Sequence, residues 1–332
     1  MVRWALLAVL VAPAPAAAQA QFEVRDAAGA RWYRGNTHAH TSLTDGDSPP
    51  EQVVAWYRAH GYAFLVITDH DQVTDPARLA HLTDSAFVLI PGEEVTARYG
   101  TLPVHVNAIG LASGVAPQEA ASVAATLQAN VDAVRAAGGV PQANHPNFVW
   151  AVAEEDIFSA RGLRVFELFN GHPLVNNFGG GGISGTEAAW DAILSSGVLL
   201  YGIAVDDAHH FKDLGNPRLA GPGRGWIMVR STELTARAIL AAMERGEFYA
   251  STGVTLTDYS VTARSMTVTV KKERYAKYRI QFIGPGGVVL HEALDSPATY
   301  GFKGTEGYVR ARVLESNGGV AWCQPVWVRA QP

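Results

Sequence analysis

Two histidines one residue apart, His38 and His40, sit in the stretch "GNTHAHTSLTDGDSPPEQ" (residues 35–52), and Asp45 follows. In an extended segment, residues i and i+2 face the same side. The two imidazoles would therefore project into one space. Neutral imidazoles converging on a point suit a divalent cation better than they suit packing. An H-x-H pair by itself also occurs on surface strands, so this reading requires further ligands elsewhere in the chain.

Further ligand types follow at the ends of apolar runs. "FLVITDHD" places His70 just past one such run, and "PGEEVT" places Glu93 and Glu94 just past another. His105 lies inside "VHVNAIG", His145 follows directly in "ANHP", and "VDDAHH" supplies Asp207 and His209, again two apart. A single histidine at a strand end is ordinary. A buried cluster of imidazoles and carboxylates needs cations to neutralise it.

The elements that would position these residues are legible as a pattern. The runs at 63–68, 87–91, 104–110, 138–144, 162–170 and 197–205 are short, rich in β-branched residues and bounded by turns, as strands are. Helix-like stretches intervene at 49–61, 117–139 and 185–197, the last two ending at Gly. Strand–helix alternation of this length predicts an α/β fold with a parallel sheet and crossover helices, most simply a barrel. The C-terminal strand ends of such a barrel converge on one rim, where the candidate ligands would meet. Beyond about residue 254 the texture changes. Period-two runs such as "SVTARSMTVTV", "YRIQFIG" and "YVRARVLE" predict a small antiparallel β domain, sandwich-like and without metal ligands. The run "GGGG" at 179–182 fits no phosphate-cradle spacing and reads as a loop.

Composition narrows the functional classes. The chain has 332 residues, 48% hydrophobic and 17% charged, with a formal net charge of -5 and no basic run, which argues against binding a nucleic-acid backbone. The N-terminus has Arg3, then "WALLAVLVA", then "PAPAAAQA" with Ala18-Gln19-Ala20. This is the three-part pattern of a signal peptide over residues 1–20, with a mature start near Gln21 and a periplasmic or secreted product. The apolar run is too short to span a bilayer, so no stable membrane anchor is expected after cleavage. The single cysteine, Cys323, allows no internal disulfide and sits in an apolar run as a small buried hydrophobe.

The ordered set "THAHTSLTDG", "ITDHD", "PGEEVT", "PVHV", "ANHP" and "DDAH", spread over residues 32–253, resembles the PHP (polymerase and histidinol phosphatase) superfamily. "GYAFLVITDHD", "GEFYASTGV" and "AWCQPVWV" are most similar to its secreted carbaryl-hydrolase-like subgroup. The resemblance implies a distorted (β/α)7 TIM-like barrel over 21–254, a C-terminal β domain over 255–332, and two or three divalent metal ions such as Zn, Mn or Fe. It places His38, His40, Glu94 and Asp207 on one metal and Glu94, His105 and His145 on a second, with Glu94 bridging. It places Asp45, His70 and His209 on a third. Glu94 is preferred to Glu93 because the pattern is G-x-E.

The function implied is a metal-dependent phosphoesterase acting on a small phosphoester, with Glu94, Asp207 and His209 as catalytic residues. A water between two cations becomes hydroxide near neutrality, its pKa falling from about 15.7 to about 7 beside a metal such as zinc. A carboxylic or carbamate ester hydrolase at the same site is the alternative, and a non-catalytic exported metal- or glycan-binding protein is a third class. The amidohydrolase type also opens on H-x-H, but residues 1–211 contain no lysine for a carbamylated bridge. Asp69 and Asp206 adjoin ligands and would orient imidazoles. Glu167, Asn170 and His172 in "FELFNGHP" are candidates to touch substrate. Arg98, Lys212, Arg218 and Arg224 are candidates to bind an anionic group. His60, His81 and His291 are assigned no role.

Overall fold

The structure, a computed structural model, describes residues 18–20 and 29–330. Most of the expected signal peptide lies outside the described residues. In chain order the strands are β1 (Ala18–Ala20), β2 (Arg31–Asn36), β3 (Phe64–Val66), β4 (Val88–Ile90), β5 (Gly92–Tyr99), β6 (Leu102–Ile109), β7 (Val140–Ala143), β8 (Val165–Asn170) and β9 (Tyr201–Val205). They continue with β10 (Trp226–Ser231), β11 (Phe248–Ser251), β12 (Leu256–Val261), β13 (Ser265–Val270), β14 (Tyr278–Gly284), β15 (Val288–Ala293), β16 (Ala298–Gly301), β17 (Gly307–Glu315) and β18 (Val320–Ala330). The α-helices are α1 (Pro50–Ala59), α2 (Val123–Ala136), α3 (Glu154–Ser159), α4 (Thr186–Ser195) and α5 (Ala236–Glu244).

Local chemistry explains where the helices start and stop. Pro50 opens α1 at a position where a missing N–H costs nothing. The Ser122 hydroxyl accepts from Ala125 N–H at the start of α2, and the Thr235 hydroxyl accepts from Ala238 N–H at the start of α5. Gly138 and Gly197, beyond α2 and α4, have φ of 82° and 93°, which a residue with a Cβ resists.

The strands form mixed sheets. A ten-stranded sheet runs β15-β14-β17-β18-β11-β10-β2-β3-β4, with β1 also on β18, and a five-stranded sheet runs β5-β6-β7-β8-β9. β2, β3 and β4 pair in parallel, as do β7, β8 and β9. β6 runs antiparallel to both β5 and β7. Two single bridges link the sheets, His70 to Glu94 and Ala39 to Ala208, both parallel. The sheets therefore do not close as one hydrogen-bonded ring, and the expected all-parallel order is broken in two places: β6 is antiparallel to β5 and β7, and β10 is antiparallel to β2 and β11. "EEVTARYGTLPVHV" alternates about a turn at Gly100, whose φ is 60°, and folds back as a hairpin instead of crossing over through a helix.

Beyond β11 the chain is antiparallel. The β12-β13-β16 sheet and the β14-β17-β18 segment share a core that includes Tyr259, Met266, Val268, Phe282 and Val313. Tyr249 of β11 belongs to the same core, and β18 pairs with β11, so the large sheet runs unbroken across residue 254. Among the described residues, no helix is long and apolar enough to cross a membrane.

Candidate metal centre

His38 and His40 lie just past β2, on either side of the Ala39–Ala208 bridge. Extended backbone there puts both rings on one side, with their Nε2 atoms 3.1 Å apart, and both residues are fully buried. The following turn carries Asp45 back over them. Asp69 holds that turn, accepting from Thr41 N–H and from the Thr41 and Thr44 hydroxyls. Gly46 is required by close approach, because a Cβ there would meet His40 O at 2.8 Å.

Glu94 stands in the middle. β5 alternates, so Glu94 faces inward while Glu93 faces the other way and accepts from Val115 N–H. Glu94 Oε1 lies 2.9 Å from His105 Nδ1 and 3.1 Å from His145 Nε2. Glu94 Oε2 lies 3.2 Å from His70 Nδ1, 3.3 Å from His40 Nε2 and 3.5 Å from His38 Nε2. The two oxygens of one carboxylate thus serve two sets of imidazoles. Asp207 Oδ1 is 3.2 Å from His38 Nε2 and 3.4 Å from His40 Nε2. Asp45 Oδ2 reaches His209 Nε2 at 3.2 Å and His70 Nε2 at 3.4 Å.

All nine sequence-predicted ligands therefore converge. The grouping is interwoven: His40, Asp45, His70 and His209 form one set, His38, His40 and Glu94 another, His38, His145 and Asp207 a third, and His70, Glu94 and His105 a fourth. In each, one donor atom per residue lies within 4.8 Å of the others. His38, His40, His70 and Glu94 each belong to two sets.

The charges explain each other. Burial works to lower the pKa of His38, but Asp207, Glu167 and Glu94 outweigh it and hold it well above its ordinary value. Burial likewise lowers His209, and Asp45 with Asp207 brings it up to about 9. Burial pushes Glu94 and Asp207 up, and the surrounding histidines, led by His105 for Glu94 and His38 for Asp207, pull both well below the carboxylate range. Protons on His38, His145 and His209 thus supply positive charge that the carboxylates demand and that cations would otherwise supply, whereas burial holds His105 below its ordinary value despite Glu94. His40 Nδ1 is buried and makes no hydrogen bond, although Asp45 Oδ1 lies 3.4 Å away. That orphaned atom and a donor set of imidazole nitrogens and carboxylate oxygens fit borderline divalent cations such as Zn, Mn or Fe.

The supporting residues differ from expectation. Glu167 is buried beneath the site and does not reach the cavity. It accepts from His38 Nδ1 at 2.6 Å, from Gln142 Nε2 and from His145 N–H. Asn170 donates to Glu167 and to Asp207 at 3.0 Å. Thr96 Oγ1 lies 2.7 Å from His70 Nδ1, and the Asp207 carbonyl lies 2.9 Å from His209 Nδ1. These groups orient the imidazoles. Asp69 and Asp206 do not: Asp69 holds the turn after His40, and Asp206 accepts from Tyr57 OH, Arg224 N–H and Gly225 N–H. Thr96, Gln142 and Asn144, which donates to Glu94 Oε1 at 2.8 Å, were not singled out by sequence. Gln142 alone carries a signal, a polar side chain in the otherwise apolar β7; Asn144 follows that strand and Thr96 sits in the mixed β5.

A cavity of about 210 Å³ opens onto the centre, walled by Asp45, His105, His145, Phe148, His172 and Leu174 among others. His172 is there as expected, its pKa pushed down to about 4 by burial. Leu174 N–H donates to its Nδ1, which places the ring proton on Nε2. The basic candidates are elsewhere. Arg98, Lys212 and Arg218 are exposed and do not line this cavity. Arg224 gives its guanidinium to the carbonyls of Gly171 and Leu219, clamping loops together.

No family model and no curated protein matches the chain. Among solved structures, it is similar to a two-domain protein from Bacteroides vulgatus containing a predicted PHP-like metal-dependent phosphoesterase, at 16% identity and TM-score 0.51, covering 92% of this chain and 95% of that one. The chain shares that protein's fold. A putative metal-dependent phosphoesterase from Bifidobacterium adolescentis aligns at 17% identity and TM-score 0.41, covering 53% of this chain and 87% of that one. An amidohydrolase from Chromobacterium violaceum aligns at 16% identity and TM-score 0.39, covering 54% and 88%.

Proposed function

We propose that this chain is a metal-dependent hydrolase of the PHP type whose substrate is a small phosphoester. The observation that carries the reading is Glu94, whose two oxygens face separate sets of imidazoles within 3.5 Å. That is how a carboxylate is placed to bridge two cations. The fold shared with a PHP-like protein supports it, and we read the two bridged sheets as the walls of a distorted seven-stranded barrel.

His38, His40, Glu94 and Asp207 would hold one cation, and Glu94, His105 and His145 a second. Asp45, His70 and His209 would hold a third at the more exposed edge. Divalent cations there supply Lewis acidity toward an ester oxygen and make water nucleophilic at neutral pH. The protein's own groups do the positioning. Glu167 fixes the His38 ring, Thr96 fixes His70, and Asn170 holds Asp207. His172 presents its Nε2–H to the cavity and is placed to donate to a substrate oxygen.

A carboxylic or carbamate ester is the second reading, favoured by one observation: among the described residues, no lysine or arginine lines the cavity. The test is a panel of aryl phosphates and aryl carboxylates assayed in oxygen-18 water, with metal content measured in parallel. Label entering phosphate in a single turnover is the expected result. Label on the protein, or full activity after metal stripping, overturns the reading; cleavage of carboxylates alone moves it to the second.

A further inference from the structure

Two loops wall one side of the centre. One spans residues 145–150 after β7, and the other spans residues 171–185 after β8. They are stitched together. Asn147 Nδ2 donates to the carbonyls of Asn176 and Ser184, both at 3.0 Å, and Asn176 Nδ2 donates back to Asn147 O at 3.1 Å. Phe148 bridges Val175.

The lip they build is apolar. Phe148 and Leu174 line the cavity, and the Phe148 ring meets His145 edge-on at 5.2 Å. Leu174 stays 64% exposed, and the next residues of the first loop, Val149 and Trp150, stay 53% and 38% exposed, with Trp150 lining a neighbouring cavity. Val149 and Trp150 have φ of 46° and 60°, a region that residues with a Cβ avoid and β-branched ones avoid most. A turn needed only for connection would carry Gly or Asn there. Strained backbone directly after a cavity-lining residue, here Phe148, holds that residue in place beside the site.

The cavity's size and charge give the lip its use. At about 210 Å³ it is smaller than the about 300–1,000 Å³ of most small-molecule sites, so it holds an ester head and little more. In a phosphomonoester the alcohol portion is the part left to project. With no lysine or arginine among the described residues lining the wall, that portion meets carbon.

We propose that Phe148 and Leu174 form a subsite for the alcohol portion of the ester and select substrates in which it is bulky and apolar; this rests on ester hydrolysis at the metal centre. The test compares phenyl with 4-tert-butylphenyl phosphate, which differ in apolar bulk while their leaving groups are alike in acidity. The metal-loaded protein should favour the larger ester by about tenfold in kcat/KM, the scale that apolar pockets achieve. A Phe148→Ala, Leu174→Ala double variant should lose that preference with metal content intact, and Phe148→Leu should retain it. No preference in the natural protein, or equal losses for both esters in the double variant, overturns the subsite. If the metal-loaded protein cleaves neither ester, the ester-hydrolysis reading fails separately. Calorimetric binding of 4-tert-butylphenol then decides the subsite: binding weakened about tenfold in the double variant supports it, and absent or unchanged binding overturns it.

Discussion

Glu94 and Glu93 are neighbours of identical chemistry, and their surroundings assign them opposite duties. Glu94 touches five imidazoles, whereas Glu93 accepts from Val115 N–H and touches none. Glu94→Gln removes a bridging charge, so metal content per chain should fall and turnover with it. Glu93→Gln should leave metal content unchanged by elemental analysis, and equal losses in both variants would contradict the assignment. Glu167 extends the argument by one bond. It fixes His38 without reaching the cavity, so Glu167→Gln should weaken metal affinity by about 10–100-fold in a competition titration while KM changes little. The ligands were legible because each sits at or near an apolar run with its spacing intact. Glu167 was legible only as a carboxylate in "FELFN", and its partner His38 is 129 residues away. Nothing local to a sequence encodes such a contact.

Elements were legible in kind more than in pairing. Five of the strand-like runs contain β3, β4, β7, β8 and β9, the run at 104–110 covers most of β6, and the three helix-like stretches contain α1, α2 and α4. The β5–β6 hairpin was missed because "GEEVTARYG" mixes charged with apolar residues, and its antiparallel register depends on a single turn. The clamp between α4 and β17 was equally hidden. Arg310, 1% exposed, donates to Asp191 through Nε and Nη2 at 2.7 Å and 2.6 Å and to Glu187 at 2.9 Å. Arg310→Ala leaves the buried Asp191 without a cationic partner, holding only the Tyr308 hydroxyl, while Glu187 keeps Arg312, and should cost about 3–5 kcal/mol in denaturant unfolding. Glu187 gives the clamp a pH dependence. Burial raises its pKa, but Arg310 and Arg312 outweigh burial and depress it below the ordinary 4.5. A depressed carboxylate contributes fully above its unfolded pKa and loses that contribution as pH falls through the lower folded value. The metal-saturated protein should therefore lose stability on the acid side of about pH 4.5. Glu187→Gln should flatten that limb, and an unchanged acid limb in the variant would contradict the clamp's role.

At the scale of the whole molecule, the sequence suggests a boundary near residue 254, and the packing runs across it. β18 pairs with β11 through Cys323–Tyr249, Trp322–Ala250 and Ala321–Ser251. Gln324 caps β9, donating to Gly202 O at 2.8 Å and accepting from Gly202 N–H at 3.0 Å. Trp322 stacks on Phe169 of β8, and Tyr308, Trp322 and Trp327 belong to the same core as β8 and β9. Deleting residues 255–332 would uncover these contacts and bare the β11 edge, which then invites pairing with another chain. Each large apolar side chain contributes about 1.5–3 kcal/mol when buried, against about 5–15 kcal/mol for a whole domain. Uncovering the fully buried Tyr249 and the partly buried Phe169 would remove a substantial share of that stability. A chain of residues 29–254 should therefore aggregate or melt without a cooperative transition, and should bind no stoichiometric metal, although all nine candidate ligands lie within it. A soluble fragment with a sharp thermal transition and full metal content would show that the β region is an independent appendage. The expected outcome makes β18 part of the wall that holds β8 and β9, and through them Glu167 and Asp207, in place around the cations.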